Sequence, residues 1–187
     1  MSGSRGKTIR SKTGVRQVAK SMRQKYEDRR EIVFVLQDWD DGYNVGSMFR
    51  LAEGMGAAEL ILTGRTPQPE LNPMVAVTSM GQHRRVPWRH FDKHVEAVQR
   101  LISDGFVAVA VEIADGAVDF TEFEWPEKCC LILGNEGAGV YDSVSRLCEA
   151  SVFIPMFGKG RSHNVVAAAA IIGYAATLSP TRVNDIG

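Results

Sequence analysis

Cys129-Cys130-Leu131-Ile132-Leu133-Gly134-Asn135-Glu136-Gly137-Ala138-Gly139 is the stretch that decides the fold class of this chain. An unbroken apolar run of this length reads as a strand buried on both faces. Three glycines follow at what is then the strand's C-terminal end, where ligands bind in open α/β sheets. Their order, G-x-x-G-x-G, reverses the dinucleotide fingerprint, and no acidic residue follows at the distance that fingerprint needs. Gly-Lys-Ser/Thr is missing, so this is not a P-loop. The plain alternative is a tight left-handed turn.

Outward from this strand the pattern alternates. Apolar runs at 32–36, 59–63, 106–111 and 151–154 read as strands, 86–88 as a short one and 120–123 as a weaker candidate. Helical spacing covers 45–53 behind Asn44 as N-cap, 72–80, 93–103, 142–147 and 165–178 behind Asn164. Strands alternating with helices predict an α/β fold with a mostly parallel sheet flanked by helices.

The 187 residues carry 22 basic and 22 acidic side chains, a formal net charge of zero. Residues 1–30 hold ten of the basic and two of the acidic ones, a net +8, which leaves −8 on the other 157. That segregation suggests a basic arm on an acidic body, either a solvated tail or a binder of polyanions. An apolar fraction of 44% and a charged fraction of 24% exclude global disorder and collagen-like repeats. Cys129, Cys130 and Cys148 form no C-x-x-C pair, so no metal site is expected. Reduced thiols point to a cytoplasmic protein. No apolar stretch follows the basic N-terminus, so no secretory signal is expected. The most apolar segment, 165–178, falls short of the ~20 residues that span a bilayer, so no membrane role is expected.

Two further stretches stand out. Asn44-Val45-Gly46-Ser47-Met48-Phe49-Arg50 is either a capped helix with a surface arginine or part of a site. Ile154-Pro155-Met156-Phe157-Gly158-Lys159-Gly160-Arg161-Ser162-His163-Asn164 joins a strand to the Ala-rich helix. Ser162 and Asn164 are both helix-cap types, and His163 makes no Ser–His pair because adjacent side chains at a helix start diverge.

Together, in this order, the three stretches resemble the SpoU/TrmH family, the RNA 2′-O-ribose methyltransferases of the SPOUT superfamily. The first matches N-x-G-x-x-x-R through Asn44, Gly46 and Arg50. The second matches G-x-E-x-x-G through Gly134, Glu136 and Gly139. The third matches I-P-M, a glycine loop and S-L-N through Ile154, Pro155, Met156, Ser162 and Asn164, with His163 replacing the usual leucine. The resemblance covers roughly residues 31–180. It implies a basic arm at 1–30, a SPOUT methyltransferase domain at 31–180 and a C-terminal tail at 181–187.

The resemblance also implies a C-terminal trefoil knot, formed by the loops after Leu133 and Ile154, that holds S-adenosylmethionine. By carry-over Glu112, Leu133, Gly134, Glu136, Gly137, Ile154, Met156, His163 and Asn164 approach that cofactor. Asn44, Arg50, Ser162 and Asn164 are the expected catalytic positions. Arg50 is expected to hold a phosphate and polarise the 2′-hydroxyl rather than act as base, because a guanidinium stays protonated in proteins. A homodimer is implied, with active sites that draw on both subunits. RNA is the implied partner, tRNA favoured over rRNA, with Arg10, Lys12, Arg16, Arg50, Arg84, Arg85, Lys159 and Arg161 as expected contacts. The alternatives are an rRNA methyltransferase, an inactive RNA-binding module of the same fold, and an oxidoreductase built on the glycine turn.

Overall fold

β1 (Glu31–Gln37) lies inside a seven-stranded, wholly parallel sheet in a computed structural model that describes residues 8–179. The other strands are β2 (Glu59–Thr63), β3 (Trp88–Phe91), β4 (Val107–Val111), β5 (Val118–Asp119), β6 (Lys128–Leu133) and β7 (Ala150–Phe153). The helices are α1 (Lys12–Lys25), α2 (Gly42–Met55), α3 (Pro73–Thr78), α4 (His94–Ser103), α5 (Asp142–Ser145) and α6 (Val165–Leu178). The strand order is β3-β2-β1-β6-β4-β7-β5. Thus β6 enters late between β1 and β4, and β7 enters between β4 and β5. Parallel strands with crossovers need both faces covered, which is why β1 and β6 read as unbroken apolar runs.

Alternation along those runs divides two cores. Phe34, Leu36, Leu131 and Leu133 pack with Val45, Met48 and Phe49 of α2 and Ile172 of α6. Val33, Val35, Cys130 and Ile132 pack with Ala97, Val98 and Leu101 of α4 and Val144 of α5. Burial raises the Cys130 thiol to about 12 and the Cys148 thiol to about 11, which keeps both protonated and inert. Among the described residues no helix is long and apolar enough to cross a membrane.

Several elements differ from the sequence expectation. The 86–88 strand forms instead at Trp88–Phe91, because its pairing to β2 begins with Leu60 N–H donating to Pro87 O. Arg89 then fixes the register with a two-pronged bond to Glu59, at 2.6 and 2.7 Å. The 120–123 segment is not a strand. β5 precedes it and stops because Asp119 Oδ1 accepts from Thr121 N–H and Oγ1–H, which turns the chain. Asn44 is not the cap of α2. The helix starts at Gly42 with Asp41 as cap, accepting from Tyr43 N–H, so Asn44 sits within the first turn.

The basic arm is a helix over part of its length. Ser11 caps α1 by accepting from Gly14 N–H, and α1 buries no residue. Arg30 belongs to the body instead, since its guanidinium donates to Trp125 O and Ser179 O. Arg5, Lys7 and the 181–187 tail lie outside the described residues.

Gly46 serves helix packing. A Cβ there would meet Val75 O at 2.8 Å and Ser79 N at 3.0 Å, so α3 rests directly on the α2 backbone. Gly46→Ala should lower stability by about 1–3 kcal/mol in urea unfolding, because backbone cannot retreat as a side chain can.

Candidate functional site

The turn after β6 is closed by its own backbone. Asn135 N–H donates to Gly139 O and Gly139 N–H donates to Asn135 O, at 3.2 and 2.8 Å. The two sides touch so closely that a Cβ on Gly134 would lie 2.1 Å from Gly139 C. Gly139, at φ +66°, supplies the left-handed residue. Asn135 fills the turn. Its Oδ1 accepts from Gly137 and Ala138 N–H, and its Nδ2 donates to Asp38 O at 2.6 Å.

The end of β1 grips the same turn. Gln37 Nε2 donates to Gly139 O, and Gln37 Oε1 accepts from Tyr141 N–H. The Tyr141 hydroxyl donates to Asp38 Oδ2 at 2.8 Å, and His94 Nε2 lies 3.1 Å from that oxygen. Arg65 N–H donates to Asp38 Oδ1. Desolvation pushes the Asp38 carboxyl up. The Arg65 and Tyr141 bonds and the nearby His94 and Arg65 charges outweigh it and hold the carboxyl below its ordinary value. The bond to Asp38 in turn raises the Tyr141 phenol above its own. From the other side, Glu112 braces the turn by accepting from Ile113 N–H with Oε1 and from Val140 N–H with Oε2.

A cavity of about 680 Å³ opens between this turn, the end of β4 and the 154–164 loop. All nine positions expected at a cofactor line it: Glu112, Leu133, Gly134, Glu136, Gly137, Ile154, Met156, His163 and Asn164. Ser162 and Arg161 line it as well. Asn164 also caps α6, accepting from Val166 and Ala167 N–H, and Ser162 does not share that task. Asn44 stands just outside. Its Nδ2 donates to Glu136 Oε1 at 3.2 Å, and its Oδ1 accepts from Asn164 Nδ2 at 3.3 Å. The three signature stretches therefore meet through one chain of side-chain hydrogen bonds.

Arg50 is not brought in. It is exposed on α2, six residues beyond Asn44 and so ~9 Å further along the helix. Arg84, Arg85 and Lys159 do not line the cavity either, and Arg85 lies 4.0 Å from Glu53. Arg10, Lys12 and Arg16 are exposed on or next to α1. Sequence reasoning missed Gln37, Asp38, Asn135 and Tyr141. Only Asn135 gave a signal, as an Asx residue inside a glycine turn.

The model of the SpoU rRNA Methylase family matches residues 31–174. A protein described as a TrmH family tRNA/rRNA methyltransferase, from Staphylococcus saprophyticus, is 28% identical over 151 residues, 81% of this chain and 60% of that protein. The AdoMet-bound rRNA methyltransferase of Sinorhizobium meliloti is 28% identical with a TM-score of 0.72, over 79% of this chain and 56% of that one. The SpoU methyltransferase AviRb of Streptomyces viridochromogenes, in complex with AdoMet, is 27% identical with a TM-score of 0.71, over 79% and 59%. The chain thus spans about 60% of the length of the curated relative it matches.

Two outcomes follow from the grip on the turn. Asn135→Ala should cost about 0.5–1.5 kcal/mol in urea unfolding, because two turn amides lose their acceptor and turn to water instead. Asp38→Asn should destabilise the protein near neutral pH. Because the folded carboxyl is depressed, its contribution is present above the ordinary value of ~4 and fades as pH falls through the folded one. Unfolding of both proteins across that range should show the gap closing in acid.

Proposed function

The chain belongs to the SpoU methylase family, and from that premise we propose that it is an S-adenosylmethionine-dependent RNA 2′-O-ribose methyltransferase. The observation that carries this reading is the cavity itself. Residues 133–139, three of them glycine, line it together with Ile154 and Met156, and side-chain-free positions of this kind let backbone amides approach an adenine and a ribose. Glu112 and Glu136 both line the cavity and would give it the negative charge that suits a cationic cofactor. The residues present therefore fit the cofactor. When bound, it supplies a methyl group already activated by a positive sulfur.

The chain's own residues then have to align a hydroxyl and release its proton. Asn44 and Asn164, bonded to each other at the mouth, orient the incoming ribose, and Ser162 beside them offers a further hydroxyl contact. Arg50 holds the phosphate next to the target and polarises the 2′-hydroxyl. A guanidinium stays protonated at neutral pH and is no base, so the proton leaves to solvent at the exposed mouth. Because Arg50 stands away from its own cavity, we assign it to the cavity of a second subunit in a homodimer. Apolar side chains exposed along α6, Ile171, Tyr174 and Leu178, support an interface there. The late entry of β6 and β7 into the middle of the sheet supports a trefoil knot around the site.

RNA is the proposed substrate, with tRNA the favoured class. The rRNA reading has its own support in the 28% identity to the AdoMet-bound rRNA methyltransferase. α1 adds five basic and no acidic side chains, all in reach of a polyanion, to a body that is net acidic. Arg84, Arg85, Lys159 and Arg161 extend that positive surface on the body. The 31–180 domain is then the catalytic unit and the arm an RNA contact. A cytoplasmic site of action goes with such a substrate and with three free cysteines.

Calorimetry should show S-adenosylmethionine binding and no binding of NAD. Labelled methyl should pass to ribose 2′-oxygens in tRNA in preference to rRNA. Arg50→Ala should abolish transfer and leave cofactor affinity within about twofold; an equal loss of both would overturn the division of labour. Removing residues 1–30 should weaken RNA binding and flatten its dependence on salt, with cofactor affinity unchanged.

A further inference from the structure

Phe157 is 99% exposed, the most exposed large apolar side chain among the described residues; the next, Leu71, is 77% exposed. It sits in the loop that walls the cavity, directly after Met156 and four residues before Arg161, both of which line it. Gly158 follows with open space where a Cβ would be, and a Cβ on Gly160 would touch only Met156 Cε, at 3.4 Å. The ring therefore stands at the cavity's rim on a segment with room to adjust. Lys159 and Arg161 follow it two and four residues on, and neither has an ion-pair partner among the described residues.

An aromatic ring left in water forgoes the stabilisation that burial would give it. An exposed ring with two unpaired cations in the same short loop, at the rim of a cavity, has the composition of a single-strand nucleic-acid platform. There the cations neutralise phosphates and a base stacks on the ring. A purely apolar partner surface would leave both cations without counter-charge.

We propose that Phe157 stacks on an unpaired base at the target nucleotide of the RNA and so positions the ribose at the cavity mouth. The inference rests on the RNA methyltransferase reading above and deepens it. The enzyme would require its target base to be out of helical stacking. Because the contact is with a π-face, it would tolerate base identity better than base removal.

The test uses the full chain, wild type, Phe157→Ala and Phe157→Trp. The probes are a labelled single-stranded RNA of about twelve mixed-sequence nucleotides and the same backbone without bases. Wild type should bind the RNA with bases at least roughly tenfold more tightly, and Phe157→Ala should lose most of that preference. Phe157→Trp should keep it and show indole quenching, beyond that of wild type, only with the RNA that carries bases. A preference unchanged in Phe157→Ala, or absent from wild type, overturns the proposal. So does a shift of Phe157→Ala from dimer to monomer on size-exclusion chromatography, which would mean that a second copy covers the ring. Cofactor binding by calorimetry reads the methyltransferase proposal separately, since failure there leaves the base preference measurable.

Discussion

The site depends on one side chain, the Asn135 amide. A turn tight enough to press Gly134 against Gly139 leaves amides pointing inward with no strand to pair with. Asn135 accepts from two of them and hands its own N–H to the end of β1. A hydrogen bond of this kind contributes on the order of 0.5–1.5 kcal/mol, and these bonds hold the turn in the shape that walls the cavity. Gln37, Glu112 and Tyr141 add to the same hold from neighbouring strands and loops.

The topology explains why so many elements converge on the turn. In a parallel sheet the C-terminal ends of the strands lie on one edge. Inserting β6 between β1 and β4 places its exit turn between Gln37 and Asp38 on one side and Glu112 on the other. The same edge receives the loop after β7 and the first turn of α2. Asn44, Glu136 and Asn164, which are far apart in the chain, become a hydrogen-bonded row. Asn164 has a double duty, since its oxygen caps α6 while its Nδ2 faces Asn44. That ties the start of a buried helix to the mouth of the cavity.

Charge is organised on a larger scale. The zero net charge is a sum of a basic N-terminal segment and an acidic body. The boundary between them differs from position 30, because Arg30 is bonded into the body while α1 carries its five cations free of any burial. An exposed, capped helix is a different object from a solvated tail: it presents its charges at fixed spacing, which suits a regular polyanion.

The sequence by itself determined the parallel sheet and the helix that Asn164 starts, because these follow from apolar periodicity and local capping, while the motifs that resemble the family picked out about half of the positions lining the cavity. The α2 cap was misread from it because Asp41 and Asn44 are both good cap types, and the choice falls to whichever leaves its neighbour useful elsewhere. The 120–123 segment looked like a strand by composition, and a side-chain bond at Asp119 ended β5 before it. Only the tertiary structure decided the grip on the glycine turn. Gln37, Asp38 and Tyr141 lie about a hundred residues from or within it, and no periodicity relates them. Only the tertiary structure, too, put Arg50 outside its own cavity and Phe157 in open solvent. A motif says which residues occur together, and the fold decides which of them face the same space.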